Sequence, residues 1–279
     1  MPYKTILVHV DGSSHLDHRV GIAAKLAIAE GAHLVGAAVT GVSKIVYESV
    51  AFGQVDPYFD KYLKIAQDRA NQALDRFEAL ANAAGVASFE RRLVDDEPLG
   101  GISVQGRYAD LAIIGQFDPE EPSPMLYGNF PEYVAMNCGC PVLIVPYAAE
   151  RMQTGDNVLI AWNASAESTR AVHSAIPILR RAKIVRVAVF NPNDLPDAHG
   201  EQPGADIALF LARHGIKVEV TQEASDIDVG EALLSLAADL GSDMMIMGCY
   251  GHSRFREVLL GGVTRTMLNS MTVPVFMAH

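Results

Sequence analysis

The sequence predicts an α/β protein with two tandem, doubly wound parallel-sheet domains, and three pairs of matching segments carry this prediction. The pairs, in the same order in each half, are residues 5–13 (TILVHVDGS) with 157–165 (NVLIAWNAS), 109–115 (ADLAIIG) with 242–248 (SDMMIMG), and 140–145 (CPVLIV) with 273–278 (VPVFMA). Short apolar runs alternate with stretches of helical period, which indicates parallel strands with helices on both faces. Such Rossmann-like sheets bind ligands beyond the carboxyl ends of their strands, where the strand order reverses.

The polar stretch 148–156 separates the two copies. We therefore expect one domain over residues 1–147 and a second over residues 156–279. The length of 279 residues suits two domains of ordinary size.

Individual elements follow from apolar runs and from residues that start or stop helices. The runs 111–114 and 142–145 contain only apolar residues, which is typical of strands buried on both faces. The predicted helices are residues 21–31, 57–85, 165–182 and 225–241. Glycine ends three of these stretches, and Ser225 is the expected N-cap of the last one.

Composition and charge exclude several classes of function. The chain is 49% hydrophobic, and its formal net charge of −11 argues against nucleic acid or anionic membranes as partners. The apolar run 6–10 is too short for a signal-peptide core. These features predict a soluble, cytoplasmic protein.

A glycine pattern in the second copy predicts a phosphate-binding loop. Gly248 and Gly251 follow a predicted strand, and nine residues later Gly261 and Gly262 precede a predicted helix. Glycines allow the backbone to approach a ligand closely, and the N–H groups at a helix start attract anions. Positively charged or titratable side chains in or beside the segment are those of His252, Arg254, Arg256 and Arg265.

The pattern Gly-x-x-Gly, nine residues, then Gly and a small residue resembles the ATP-binding loop of the universal stress protein family. The resemblance occurs once in each half and together covers nearly the whole chain. It implies the adenine nucleotide α-hydrolase-like fold of that family's tandem members. By position it implies nucleotide contacts from Asn163, Val189, Met247, Gly248, Gly251, His252, Gly261, Gly262, Val263 and Thr264. Two of these depart from the family pattern, since Asn163 replaces its usual Asp and Gly262 its usual Ser.

The first copy has the same loop spacing, but it lacks the second glycine and the positive charges of the phosphate-binding loop. Asp118 takes the place of the second glycine, Glu120 and Glu121 follow, and no Lys or Arg occurs between Arg107 and Arg151. Carboxylates repel a phosphate. We expect this half to be structural or adapted to another ligand, although Asp11 is the family's usual residue.

The resemblance implies a stress-response regulator that binds ATP or another adenine nucleotide, with or without Mg²⁺, in its second domain and acts through an unidentified protein partner. Enzyme motifs such as Gly-x-x-x-x-Gly-Lys-Ser/Thr are missing from the sequence, so no catalytic residue and no protein-bound metal is predicted. A slow ATP hydrolase and a ligand-free scaffold are the alternatives. Because the final strands of family dimers lie against each other, the resemblance also implies an internal pseudo-dimer and leaves a further homodimer open.

The cysteines and two histidines have structural readings beside functional ones. Cys138 and Cys140 are interpreted as a reduced, partly buried pair, with a redox or metal role as the alternative. Cys249 is interpreted as a packed small residue rather than a redox sensor. His15 and His18 are interpreted as part of a solvated helix start rather than as metal ligands.

Overall fold

The computed structural model describes residues 2–43, 57–121, 128–148, 155–192, 202–250 and 262–279. The chain divides into two compact units, Pro2–Val142 and Leu143–His279. The division falls inside a four-residue strand, β5 (Val142–Val145).

The first unit alternates strands and helices. In chain order its elements are β1 (Thr5–His9), α1 (Leu16–Glu30), β2 (His33–Val39), α2 (Pro57–Ala84), β3 (Phe89–Val94), α3 (Pro98–Gly106), β4 (Leu111–Gly115) and α4 (Phe130–Asn137), followed by β5. The strand order is β3-β2-β1-β4, and the neighbouring strands are parallel. Strand order therefore reverses between β1 and β4, and a crevice is expected beyond their carboxyl ends.

The second unit repeats this arrangement. Its elements are β6 (Asn157–Ala161), α5 (Ala166–Leu179), β7 (Ile184–Phe190), α6 (Ala205–Arg213), β8 (Val218–Glu223), α7 (Val229–Asp239), β9 (Met244–Gly248), α8 (Gly262–Ser270) and β10 (Val275–Ala278). The strand order is β10-β9-β6-β7-β8, again with parallel neighbours. The predicted class of two tandem doubly wound α/β folds is confirmed, and the second switch point lies between β6 and β9.

Helix ends follow local chemistry. Gly31 and Gly85 stop α1 and α2 with φ of +62° and +79°, a left-handed conformation that glycine adopts without strain. The predicted start of α7 at Ser225 is wrong. Asp228 is the N-cap, because its carboxylate accepts the N–H groups of Gly230 and Glu231, whereas the Ser225 hydroxyl bonds locally to Ile227.

Among the helices in the described part of the chain, none combines the length and the apolar character that crossing a bilayer requires.

The aspartate of the repeated segments makes a similar contact in both copies, just before β4 and just before β9. The carboxylate of Asp243 accepts the three backbone N–H groups of residues 155–157 at 2.9–3.1 Å. Asp110 accepts the N–H groups of residues 4 and 5 at 2.7 and 2.9 Å. Each aspartate thus anchors the segment that enters the first strand of its unit, at the edge of the sheet opposite to the switch point.

We expect Asp243→Ala to lower the free energy of unfolding by about 1–3 kcal/mol, because three backbone donors at a half-buried position lose their acceptor. The matched variant Asp110→Ala should have a smaller effect, since its two N–H partners are solvent-exposed and can bond to water. Urea unfolding monitored by circular dichroism measures both. An equal effect of the two substitutions would contradict this account.

Candidate functional site

The carboxyl end of β6 leads directly into the first turn of α5. Asn163 is exposed, and its side-chain oxygen accepts the N–H of Ser165 at 3.2 Å. The Ser165 hydroxyl in turn accepts the N–H of Ser168 at 3.1 Å and caps α5. Ala164, between them, has a φ of +57°. The turn therefore leaves the Asn163 amide group at the surface beside the start of a helix.

Gly248, the last residue of β9, touches this same turn. A Cβ at Gly248 would lie 2.6 Å from the carbonyl carbon of Glu167 and 2.7 Å from its Cβ, closer than real side chains allow. Because backbone atoms stand in the way, only glycine permits α5 to approach β9 this closely. Gly248 thus has a packing role, whether or not a ligand lies nearby.

The start of α8 lies against the cap of α7. Gly262 is exposed, and a Cβ there would be 3.7 Å from Oδ2 of Asp228, an ordinary contact distance. Thr264 is buried, and its hydroxyl accepts the N–H of Tyr250 at 3.5 Å. The first turn of α8 is therefore held close to the segment that follows β9, while a carboxylate stands beside its first residue.

The structure brings together part of the site predicted from the sequence. Met247 and Gly248 end β9, which pairs with β6 through Ala161 and Met247. Val189 is buried on β7. The residue before it on that strand, Ala188, accepts the backbone N–H of Trp162 at 2.9 Å. Asn163, Val189, Met247 and Gly248 thus cluster at the carboxyl ends of three adjacent strands. Val263 and Thr264 begin α8, and Gly251, His252 and Gly261 lie outside the described residues.

Cys249, next to Gly248, is fully buried. Burial, with a contribution from Glu167, raises the pKa of its thiol to about 12. The thiol is therefore protonated at neutral pH, which supports the packing interpretation over that of a redox sensor.

The equivalent crevice of the first unit contains a buried arginine. Arg19 is 2% exposed, and its Nε donates to the carbonyl of His9 at 2.8 Å. A second guanidinium nitrogen donates to Oδ1 of Asp11 at 2.6 Å, and the third would lie 2.5 Å from a Cβ at Gly115. The guanidinium therefore fills the space between the ends of β1 and β4.

Asp11, the residue that the family resemblance singled out, is occupied by this contact. Its Oδ1 also accepts the hydroxyl of Ser13 at 2.7 Å and the N–H of that residue at 3.1 Å. Burial raises the pKa of Asp11, but the Arg19 charge and these hydrogen bonds together hold it well below its usual range. The carboxylate is therefore charged at neutral pH, and the Arg19 guanidinium neutralises it from within the fold.

Arg19 was missed by sequence reasoning, although a signal was available. It lies eight residues after Asp11, and the residue eight positions after Asn163 is Ala171. Aligning the two copies beyond their strand ends would have shown a charge in one and a methyl group in the other.

The acidic loop of the first unit, residues 118–121, contacts the start of α1. Glu121 accepts the N–H of Ser14 at 3.0 Å and its hydroxyl at 2.6 Å, and Nε2 of His15 lies 2.9 Å from Oδ2 of Asp118. Burial raises the pKa of Asp118, whereas the backbone N–H of Glu120 and the His15 contact lower it, and the net shift is downward. These carboxylates occupy donors that a phosphate would need.

Within the described residues, His15, Asp118 and Glu121 also bring one potential metal-ligating atom each to within 4.8 Å of one another. In the structure these atoms pair with each other and with Ser14, so the contacts among them are those of a histidine–carboxylate cluster. The interpretation of His15 as part of a helix start agrees with its position just before α1.

Sequence comparison with known proteins identifies the protein family. The model of the universal stress protein family matches residues 2–146 and again residues 155–279. A Thermus aquaticus protein, described as the universal stress protein in QAH/OAS sulfhydrylase 3'region, is 30% identical over 145 residues, 51% of this chain and 98% of that protein. The Synechocystis universal stress protein Slr1230 is 28% identical over 137 residues, 48% of this chain and 45% of that protein, so the match spans less than half of that relative.

Solved structures agree on the fold. A universal stress protein from Archaeoglobus fulgidus covers 98% of this chain and 97% of its own, with 17% identity and a TM-score of 0.74. Two solved universal stress proteins are described as complexes with cAMP and with dAMP, and each covers 52% of this chain. Their TM-scores of 0.38 and 0.36 are too low to support any statement about a ligand of the present protein. The chain belongs to the universal stress protein family and carries the family domain twice.

We expect Gly248→Ala to destabilise the second unit by roughly 1–3 kcal/mol, because the added methyl group meets the backbone of α5. The control is Gly262→Ser, which places a larger side chain in ordinary contact with Asp228 and should change stability by less than about 1 kcal/mol. Thermal unfolding of the two variants and the parent tests the contrast. A stable Gly248→Ala protein would show that α5 does not pack against β9 as described.

The buried His9 predicts an acid-dependent loss of stability in the first unit. Burial, opposed by Asp11 and assisted by Arg19, lowers the pKa of His9 from 6.5 to about 4. The folded state therefore keeps His9 neutral, while the unfolded chain takes up a proton below about pH 6.5. The contribution of His9 to the free energy of unfolding is fully present above about pH 6.5. It falls progressively towards pH 4, by roughly 3 kcal/mol in all.

His9→Leu removes this titration and should flatten the dependence of unfolding free energy on pH between 7 and 4.5, measured by urea titration at several pH values. Asp11, whose pKa is lowered, contributes to the pH dependence only at more acidic pH. A parent protein and a variant with the same slope in this window would refute the assignment to His9.

Proposed function

We propose that this protein binds one adenine nucleotide per chain, at the switch point between β6 and β9 of the second unit. The bound nucleotide acts as a regulatory signal that a protein partner reads. The protein works in the cytoplasm without nucleic acid or membrane as a partner.

The observation that carries the proposal is the contrast between the two switch points. In the first unit, the guanidinium of Arg19 fills the crevice and neutralises Asp11. In the second unit, the matching positions are Ala171 and Asn163, and the Asn163 side chain is exposed. One crevice is filled by the protein's own side chains, and the other lacks the arginine that fills it.

Charge supports the same choice. The acids of the first unit's loop take the N–H and hydroxyl donors of Ser14 at the start of α1. At the corresponding place the second unit has glycines followed by His252, Arg254 and Arg256 in its sequence, and Arg265 is exposed on α8. In a chain with a net charge of −11, this local group of cations favours a phosphate there.

The nucleotide is assigned to the second unit as follows. The base and ribose lie near Asn163 and the backbone around Val189, and the phosphates lie near Gly248, Gly251 and the start of α8. Further contacts are assigned to Met247, His252, Gly261, Gly262, Val263 and Thr264. Any Mg²⁺ enters with the phosphates of ATP rather than as a metal bound by the protein alone.

Asp228 weakens this site for anions. Its carboxylate stands beside Gly262, where the family pattern has a serine hydroxyl, and it already caps α7. Loss of a donor and the presence of a negative charge both favour ligands with fewer phosphates, such as AMP, over ATP.

Isothermal titration of the nucleotide-free full chain with ATP and with AMP should give one site per chain. Gly251→Asp, which copies the first unit's residue into the second, should reduce affinity at least tenfold, about 1.4 kcal/mol. The matched control is the reverse change, Asp118→Gly, which should leave the affinity as it is. Two equivalent sites, or full affinity in Gly251→Asp, would overturn the proposal.

The alternatives give different results in the same preparation. A hydrolase converts bound ATP to ADP, whereas a regulator returns it intact after incubation. We expect turnover far below about 1 per second, the lower end of ordinary enzyme rates. A ligand-free scaffold shows no heat of binding and no nucleotide by mass spectrometry of the extracted protein.

A further inference from the structure

The Cys-x-Cys segment of the first unit places two sulfur atoms in contact. Cys138 is the C-cap of α4, with its N–H donating to the carbonyl of Val134 at 2.9 Å, and Cys140 follows after Gly139. Gly139 has a φ of +78°, which turns the chain back on itself between the two cysteines. The two Sγ atoms are 3.5 Å apart and share a hydrogen bond.

The two thiols differ in their surroundings. Cys138 is fully buried, and its sulfur lies against the backbone of Gly106, the last residue of α3, where a Cβ would overlap with it. Cys140 is half-buried. Two thiols held in contact can close a disulfide once either sulfur is oxidised.

We propose that Cys138 and Cys140 are an oxidation site at which a hydroperoxide forms a reversible disulfide within the chain. The nucleotide site of the second unit plays no part in this reaction, so the inference is independent of the proposed function.

The reaction balances with a hydroperoxide as the oxidant. One sulfur of the pair, as thiolate, attacks the distal oxygen of the peroxide, the O–O bond breaks, and the alcohol or water leaves as that cysteine becomes a sulfenic acid. The other cysteine then attacks that sulfur, the S–S bond forms, the S–O bond breaks, and the hydroxyl group leaves as water with the proton of the attacking thiol. Two thiols are oxidised, and one hydroperoxide is reduced to an alcohol and water.

The electrostatics of the pair favour a single thiolate, carried by Cys138. The hydrogen bond from Cys140 lowers the pKa of Cys138, with burial acting in the opposite direction and Arg107 adding a favourable charge. The same hydrogen bond, and burial, raise the pKa of Cys140, so the pair holds one proton between its sulfurs once the other is lost. Cys249, buried and with a pKa of about 12, provides an unreactive thiol in the same chain.

The test treats the full chain with hydrogen peroxide and counts free thiols by alkylation after denaturation. Of the three cysteines, one should remain alkylatable, the intact mass should fall by about 2 Da, and dithiothreitol should restore all three. Peptide mapping should place the bond between Cys138 and Cys140.

The controls use substitutions that the chain itself suggests. Cys140→Val copies the residue at this place in the second copy, Val273, and should abolish the disulfide, as should Cys138→Ala. Cys249→Ser should still lose both remaining thiols. A treated parent that retains three thiols, gains oxygen on cysteine without a 2 Da loss, or forms the bond between chains would overturn the proposal. Because Cys140 is half-buried, its variant tests the proposal even if Cys138→Ala fails to fold.

Discussion

Burial of both faces of parallel strands is the constraint on which the rest of the molecule depends. Strands β4 and β5 of the first copy, and β9 and β10 of the second, are buried along nearly their whole length, so they leave no room for polar side chains. The polar groups at the switch points therefore lie beyond the strand ends rather than along these buried strands. At the amino ends the aspartates 110 and 243 bind backbone N–H groups, and at the carboxyl ends stand Asp11 and Asn163.

This separation allows the two copies to share one fold and to differ in their ligand chemistry. Arg19 is the clearest case, because its charge is buried and compensated by Asp11 and by the carbonyl of His9. A buried charge that lost its partner would be strongly destabilising, so Arg19 and Asp11 constrain each other. Asp11 has kept the family's residue type while its carboxylate has become part of the unit's internal structure. Identity of a residue type is thus a weak guide to a retained site.

The strand pattern was predictable where burial is complete and less so at the edges. Apolar runs predicted β4 and β5 because such runs have few alternatives, and the repeat indicated that the second copy has the same fold as the first. The outer strands β3 and β8 contain only half-buried and exposed residues, and their charged sequences FERRLV and VEVTQE carry no continuous apolar run. The start of α7 was misplaced because Ser225 and Asp228 are both good N-caps, and only the backbone path selects between them. Arg19 was missed because it falls on a helix, outside the strand-end motifs that drew attention.

Glycine spacing has two separable causes in this fold. Gly248 is required by the approach of α5 to β9, as its contacts with Glu167 show, and that requirement holds without any ligand. Gly262 has room for a side chain, so packing does not explain it. In the first copy Gly115 also faces a close neighbour, but there it is the end of the Arg19 side chain rather than backbone. The glycine at the end of β4 or β9 is therefore explained by close packing at the switch point. Evidence for a bound nucleotide must come from the charged residues around that glycine, because these differ between the two copies.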